Sequence, residues 1–267
     1  MEKKIIFAVV ITAIGILAIM WFYTPVPTMA ARYVWNRYQA SQFALALDRS
    51  DAELALDIGN RAFGLGSYDI QLAERAFRKA IAIDPGILWG HYQLARILFV
   101  EGKFAEAEAE IDQELTHNQT NLRSLYVRGL IRANSENLPG AVLDFKEFTT
   151  WAPTEWAGYN DLAWVLAKEK KYAEAESALK EGIVHARGGD KNPWLWDALG
   201  VAQLNLNQAS AALSSLQKAQ TFAESLTDAD WKKAYPGNDP AFAESGVAAM
   251  RSGILKNLSA AYDALRK

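Results

Sequence analysis

The sequence predicts an all-α protein: about five helical hairpins stacked into an α-solenoid, preceded by one transmembrane helix and closed by a C-terminal capping helix segment. Three observations carry that prediction. Small residues recur along the chain at a near-constant interval, and large apolar residues recur beside them at the same interval. Near the N-terminus, Ile5 to Tyr23 form an uncharged run of the length that crosses a bilayer.

The chain begins with that run. Its 19 residues follow Lys3 and Lys4, and at ~1.5 Å per residue a helix of this length spans about 28 Å, the thickness of a hydrocarbon core. Trp21, Phe22 and Tyr23 close it with aromatic rings of the kind found at lipid–water boundaries. Pro25 and Pro27 are expected to end the helix, since neither donates an amide. Residues 1–30 therefore read as an anchor with a proline-containing exit. Thr28-Met29-Ala30 offers a signal-cleavage site, but the apolar run exceeds the ~7–15 residues of a signal peptide. Arg32 and Arg37 nearly balance the positive residues ahead of the span. Its place at the extreme N-terminus favours export of the bulk of the chain, giving a single-pass protein of a bacterial inner membrane with its repeats on the extracytoplasmic side.

Residues 31–53 read as a linker or capping helix, Ala31 to Asp48, which either lies on the membrane surface or packs on the first hairpin. Ser50 and Glu53 have capping-box spacing for the helix that follows.

The repeats occupy residues 54–226. One alanine series runs Ala73, Ala107, Ala141, Ala175, Ala212, at intervals of 34, 34, 34 and 37. A small-residue series in the preceding helix runs Gly59, Ala95, Gly129, Ala163, Gly200. A large apolar series runs Phe77, Ile111, Phe145, Leu179, Leu216. The series share an insertion of three residues, Asp190, Lys191 and Asn192, and the small-residue series shows two more in the Gly64–Ile70 turn. The units are 54–87, 88–121, 122–155, 156–192 and 193–226. Small residues let two helices approach, the large one fills the space beside them, and each hairpin leaves an apolar face for the next to cover.

The pattern resembles the tetratricopeptide repeat family. The closest unit is Asp57 to Pro85, with Ile58-Gly59-Asn60, Gly66-Ser67-Tyr68, Ala73, Phe77, Ala80 and Asp84-Pro85; Trp196, Leu199, Gly200, Ala212, Leu216 and Ala219 repeat it. Arg128-Gly129 stands where Leu-Gly is commoner, and Arg128 is expected to bury its stem and keep its guanidinium in water. Glu114 replaces a small residue, and Gln119, Arg187 and Glu224 replace the closing proline. The resemblance implies a right-handed α-solenoid that binds proteins along a concave wall made by the first helix of each hairpin. Residues 227–267 follow as a turn-rich connection, Thr227 to Pro240, and one or two amphipathic capping helices, Ala241 to Arg266.

Composition and motifs narrow the function. Lys and Arg number 28 against 31 Asp and Glu, and the basic residues alternate with carboxylates, which argues against nucleic-acid binding. No cysteine is present, excluding disulfides, thiolate metal sites and a cysteine nucleophile. His91, His117 and His185 fall in different repeats without accompanying ligands. There is no GxSxG elbow and no phosphate-binding glycine loop. No catalytic residue, metal site, cofactor or small-molecule substrate is expected.

What remains is the concave wall. Projection from the packing positions gives Trp89, Tyr92, Arg96 and Phe99 from the second unit, then Arg123, Tyr126 and Leu130 from the third. Asn160 and Trp164 come from the fourth, Trp194 and Asp197 from the fifth. Trp, Tyr and Arg dominate binding energy at interfaces. The lysine–asparagine clamp by which some family members hold a chaperone carboxylate is absent. The sequence thus points to a membrane-anchored scaffold or assembly factor that holds a partner protein's segment or helix in the groove. The alternatives are a cytoplasm-facing adaptor recruiting a soluble enzyme, or a hydrolase or transferase with an unrecognised site.

Overall fold

The structure, a computed structural model, describes residues 26–65, 68–235 and 238–266. The apolar run Ile5–Tyr23 lies outside them, and among the described residues no helix is long and apolar enough to cross a membrane. All regular structure among the described residues is helical, in two compact units, one ending at Ile97 and one beginning at Leu98.

The first unit opens with α1 (Val26–Tyr38) and α2 (Ser41–Leu47). Pro27 sits in the first turn of α1, where its missing amide costs nothing; the helix it was expected to end lies outside the described residues. The helix expected from Ala31 to Asp48 is broken in two, the chain turning at Gln39 with φ 52°. Pro27, Ala31, Trp35, Ala44 and Leu45 are buried, so this pair packs inward along one face. α3 (Ala52–Asn60) runs into a π-helical turn, Arg61–Leu65, and α4 (Ile70–Ile83) folds back on it. The N-cap of α3 is Asp51, whose side chain accepts from the Leu54 amide, so Ser50 does not form the expected capping box. Asp51 is also held by Arg32 of α1. From α4, Lys79 Nζ donates to the Leu45 and Asp48 carbonyls, 2.5 and 2.6 Å away, and closes the C-terminal end of α2. α5 (Gly90–Val100) begins in this unit.

The second unit continues with α6 (Phe104–His117), α7 (Leu122–Asn134), α8 (Leu138–Trp151), α9 (Trp156–Lys168), α10 (Tyr172–His185), α11 (Pro193–Asn205) and α12 (Ala209–Ala223). Each packs on the next in chain order, the layering of a helical-hairpin solenoid. The three added residues form a 3-10 turn, Gly189–Lys191, and Asn192, which caps α11 by accepting from the Trp194 and Leu195 amides. The Thr227–Pro240 connection contains a helix missed in the sequence, α13 (Asp228–Ala234), opened by a Thr227/Asp230 capping box. The final segment is one helix, α14 (Ala243–Leu265), packed on α12 through Ile254, Leu258 and Ala261. Arg251 of α14 donates to the Ala223, Glu224 and Leu226 carbonyls and closes the end of α12.

All fifteen residues of the three recurring series are buried. A methyl group on Gly59 would overlap the Phe77 ring, and one on Gly200 would overlap Leu216; at Gly129 it would lie 2.8 Å from Cε1 of Phe145. The small residue is therefore where the large one of its partner helix lands.

One expectation is overturned. The Arg128 guanidinium does not stand in water. Its Nη2 and Nε donate to Asp144, at 2.8 and 3.2 Å, and its Nη1 donates to Asp112 at 3.1 Å. Arg132 donates to the same Asp144, at 2.9 Å, and to Glu108. Asp144 is 2% exposed, so two guanidiniums of α7 share one carboxylate buried on α8, with α6 supplying the outer acids. Burial works against the Arg128 charge, but Asp144 and Asp112 outweigh it and raise its pKa. Glu114 is buried as well, and accepts a long hydrogen bond from Asn121 at 3.4 Å.

Three outcomes follow for chemical unfolding. Gly129→Val is expected to cost about 2 kcal/mol by overpacking, and Phe145→Leu in the same chain to recover part of that. Asp144→Ala is expected to cost about 3 kcal/mol, because it removes the buried anion that two half-buried guanidiniums share and leaves them only the outer Asp112 and Glu108. Glu108→Ala, on the exposed rim of the network, is expected to cost under about 1 kcal/mol.

Candidate partner-binding wall

The eleven residues expected on the wall fall into three environments. In the first unit, Trp89 precedes α5 with φ 70°, is 37% exposed, and meets Tyr92 edge-on, with ring centroids 5.4 Å apart. Arg96 lies over the Phe63 ring at 4.7 Å and the Tyr92 ring at 5.6 Å, and donates to Gln93 at 2.8 Å. Its guanidinium is thus already engaged with aromatic faces.

In the second unit, Phe99 packs on Phe104 and Leu130 joins the buried core, so both serve as packing. Arg123 is exposed in the first turn of α7. Tyr126 is held on both sides: its ring packs on Phe145 and Phe148, and its hydroxyl donates to Asp161 at 2.5 Å. Trp194 stacks on Trp156 at 5.1 Å and meets Tyr235 at 6.3 Å. Asp197 accepts from Asn257 of α14 at 2.9 Å.

Asn160 and Trp164 are placed differently. They lie at the rim of a cavity of about 250 Å³ between α9, α10 and α11, and Trp164 is 41% exposed. The cavity walls are mostly alanine, with Tyr172 and Leu179 of α10 inside. Lys168 lies 5.0 Å over the Trp164 ring and pairs with Glu136 at 3.1 Å.

Asp161 was not anticipated. It accepts from the Tyr126 hydroxyl and from Asn160 Nδ2, and its charge is felt by Tyr235, whose hydroxyl is held by Trp194. Burial pushes its pKa up to about 6, against the lowering effect of those two donors. Burial also raises Asp197, against the Asn257 hydrogen bond, and raises Tyr235. A signal for Asp161 existed: it occupies the register of Val127 and Ala198 in the neighbouring repeats, a carboxylate at an otherwise apolar place. Tyr235 carried no such signal, because it comes from outside the repeats. Among the described residues, no three His, Asp or Glu side chains converge as a metal site.

The hairpins, their small-against-large contacts and this wall define the fold of tetratricopeptide-repeat proteins. The comparisons with known proteins agree at the level of fold. No family model and no curated protein matches the sequence. Solved structures do match. MamA is similar with 17% identity and a TM-score of 0.57, over 65% of this chain and 92% of that one. YrrB, described as a TPR protein with an unusual peptide-binding site, has 17% identity and a TM-score of 0.56 over 70% and 93%. PilW, described as a widely conserved type IV pilus biogenesis factor, has 17% identity and a TM-score of 0.58 over 80% and 90%.

The Asp161 carboxyl gives stability a pH dependence. Its folded pKa lies near 6, above the ordinary value of 3.8, so the folded chain binds the extra proton. Its contribution is complete below about pH 4 and is lost as pH rises through 6; at ~1.4 kcal/mol per unit this is roughly 2–3 kcal/mol. Urea unfolding between pH 4 and 7 is expected to show that loss in the native chain and not in Asp161→Asn.

Proposed function

We propose that this protein is a membrane-anchored scaffold or assembly factor of a bacterial envelope, holding an extended segment or helix of a partner protein on its first-helix wall. The observation that carries the reading is the rim formed by Asn160 and the exposed Trp164 over an apolar cavity on that wall. An exposed tryptophan beside an apolar recess is how interface anchors and their pockets are built. The peptide-binding site of YrrB and the role of PilW as a type IV pilus biogenesis factor support a protein partner. The anchor itself rests on the charge-free run Ile5–Tyr23, and export of the repeats on the placement of that run.

The test places a photocrosslinking residue at Val201, on the cavity lining, in full-length protein in native membranes, and identifies what is captured. The double change Asn160→Ala, Trp164→Ala is expected to reduce capture of the same partner by more than about tenfold, the loss of one interface anchor, with little change in the melting curve. Undiminished capture would remove the wall from the function. A reporter fused after Lys267 that is active only in the cytoplasm would reverse the orientation.

A further inference from the structure

The cavity between α9, α10 and α11 exists because one layer of the array is underfilled. Shifting by one repeat, 34 residues for α7 and α8 and 37 for α9, shows what fills the preceding layer. There, Tyr126, Phe145, Trp164 and Val165 occupy the places that Asn160, Leu179, Val201 and Ala202 take here. Three large side chains and a valine are replaced by smaller ones, which outweighs the larger Ala163, Trp164 and Tyr172 that take the places of Gly129, Leu130 and Leu138. The result is a recess of about 250 Å³ lined by Ala163, Ala198, Ala202 and Leu179. It is smaller than the ~300–1,000 Å³ of small-molecule pockets and has room for an apolar side chain.

The charges around it are uneven. Lys168 is paired with Glu136, Lys171 with Glu169, and Lys180 with Glu176. Asp161 and Asp197 differ: each is half-buried and held only by neutral donors, Tyr126 and Asn160 in one case and Asn257 in the other. Among the described residues neither has an ion pair. Neither aspartate lines the cavity itself: Asp161 is hydrogen-bonded to the lining residue Asn160, and Asp197 precedes the lining residue Ala198 in α11. Around Asp161 stand Tyr126 and Tyr235, with Trp194 holding the latter. A carboxylate held by neutral donors beside an apolar recess is an environment that accepts a Lys or Arg head group.

We propose that this site takes a basic-apolar segment of a partner protein, with one apolar side chain in the cavity and a neighbouring Lys or Arg on Asp161 or Asp197. This rests on the scaffold reading and names the partner's chemistry. A free anion is disfavoured by the uncompensated carboxylates. An acidic peptide meets the same repulsion.

The experiment pans full-length protein in detergent micelles against a displayed library of random dodecapeptides. Enriched sequences are expected to carry Leu, Met or Phe within three residues of Lys or Arg. The best one, synthesised with blocked ends, is expected to bind at least tenfold more weakly to Asp161→Asn or Asp197→Asn, to lose affinity as salt rises, and to fail against Ala202→Phe, which fills the recess. The aspartate variants are isosteric, so their loss reports charge even if the phenylalanine variant is unstable. Enrichment of acidic or uncharged sequences, equal binding by both aspartate variants, or no enrichment would overturn the proposal. The scaffold reading fails separately, by capture that survives the Asn160, Trp164 double change; a crosslinked partner that depends on those residues but docks through an acidic segment would leave the scaffold standing and this inference overturned.

Discussion

The structure depends first on how closely two helices of a hairpin can lie. A glycine or alanine on the first helix receives the ring or isobutyl group of the second, and there is no room for both to be large. At Gly59, Gly129 and Gly200 even a methyl group collides with the partner. That contact sets the spacing within a hairpin, and the spacing sets where the next hairpin's apolar face falls. Burying a Phe or Leu this way is worth about 2 kcal/mol, repeated along the array. Such arrays draw their stability from neighbours, and the ends need other means. Here two cations act as end pieces: Lys79 takes the open carbonyls of α2, and Arg251 takes those of α12.

The same close packing explains what lies on the wall. A side chain projected there from helical geometry meets the next layer as well as solvent. Tyr126, Leu130 and Trp194 found neighbours within the second unit. Trp164, met only by Lys168 over its ring, stayed 41% exposed, because the layer beyond it carries Val201 and Ala202 in place of larger residues. The opening in the wall is thus a local failure of the filling that operates one repeat earlier.

Much of the fold was legible because its governing contact repeats at a fixed interval, and every series residue proved to be buried. What resisted reading was set by single events. The break at Gln39 depends on one residue with positive φ, and α13 is only seven residues long, too short to show a period. Arg128 looked like a surface arginine on a packing position, since nothing adjacent in sequence identifies Asp144, sixteen residues on, as its partner. The cavity needed four substitutions on three helices to be compared at once. Asp161 was nearer to hand, one residue from Asn160, but it was passed over because its register is apolar in the adjoining repeats.

The shared carboxylate at Asp144 has a consequence for how this chain can change. Two guanidiniums on α7 lean on one buried anion, so the positions are locked together in sequence space. Restoring the leucine commoner at position 128 leaves Arg132 to neutralise Asp144 alone, and removing Asp144 leaves Arg128 and Arg132 only the more exposed Asp112 and Glu108. A path to an apolar junction between α6, α7 and α8 therefore crosses intermediates less stable than either end. The third repeat keeps its charged seam because the exits from it are uphill one mutation at a time.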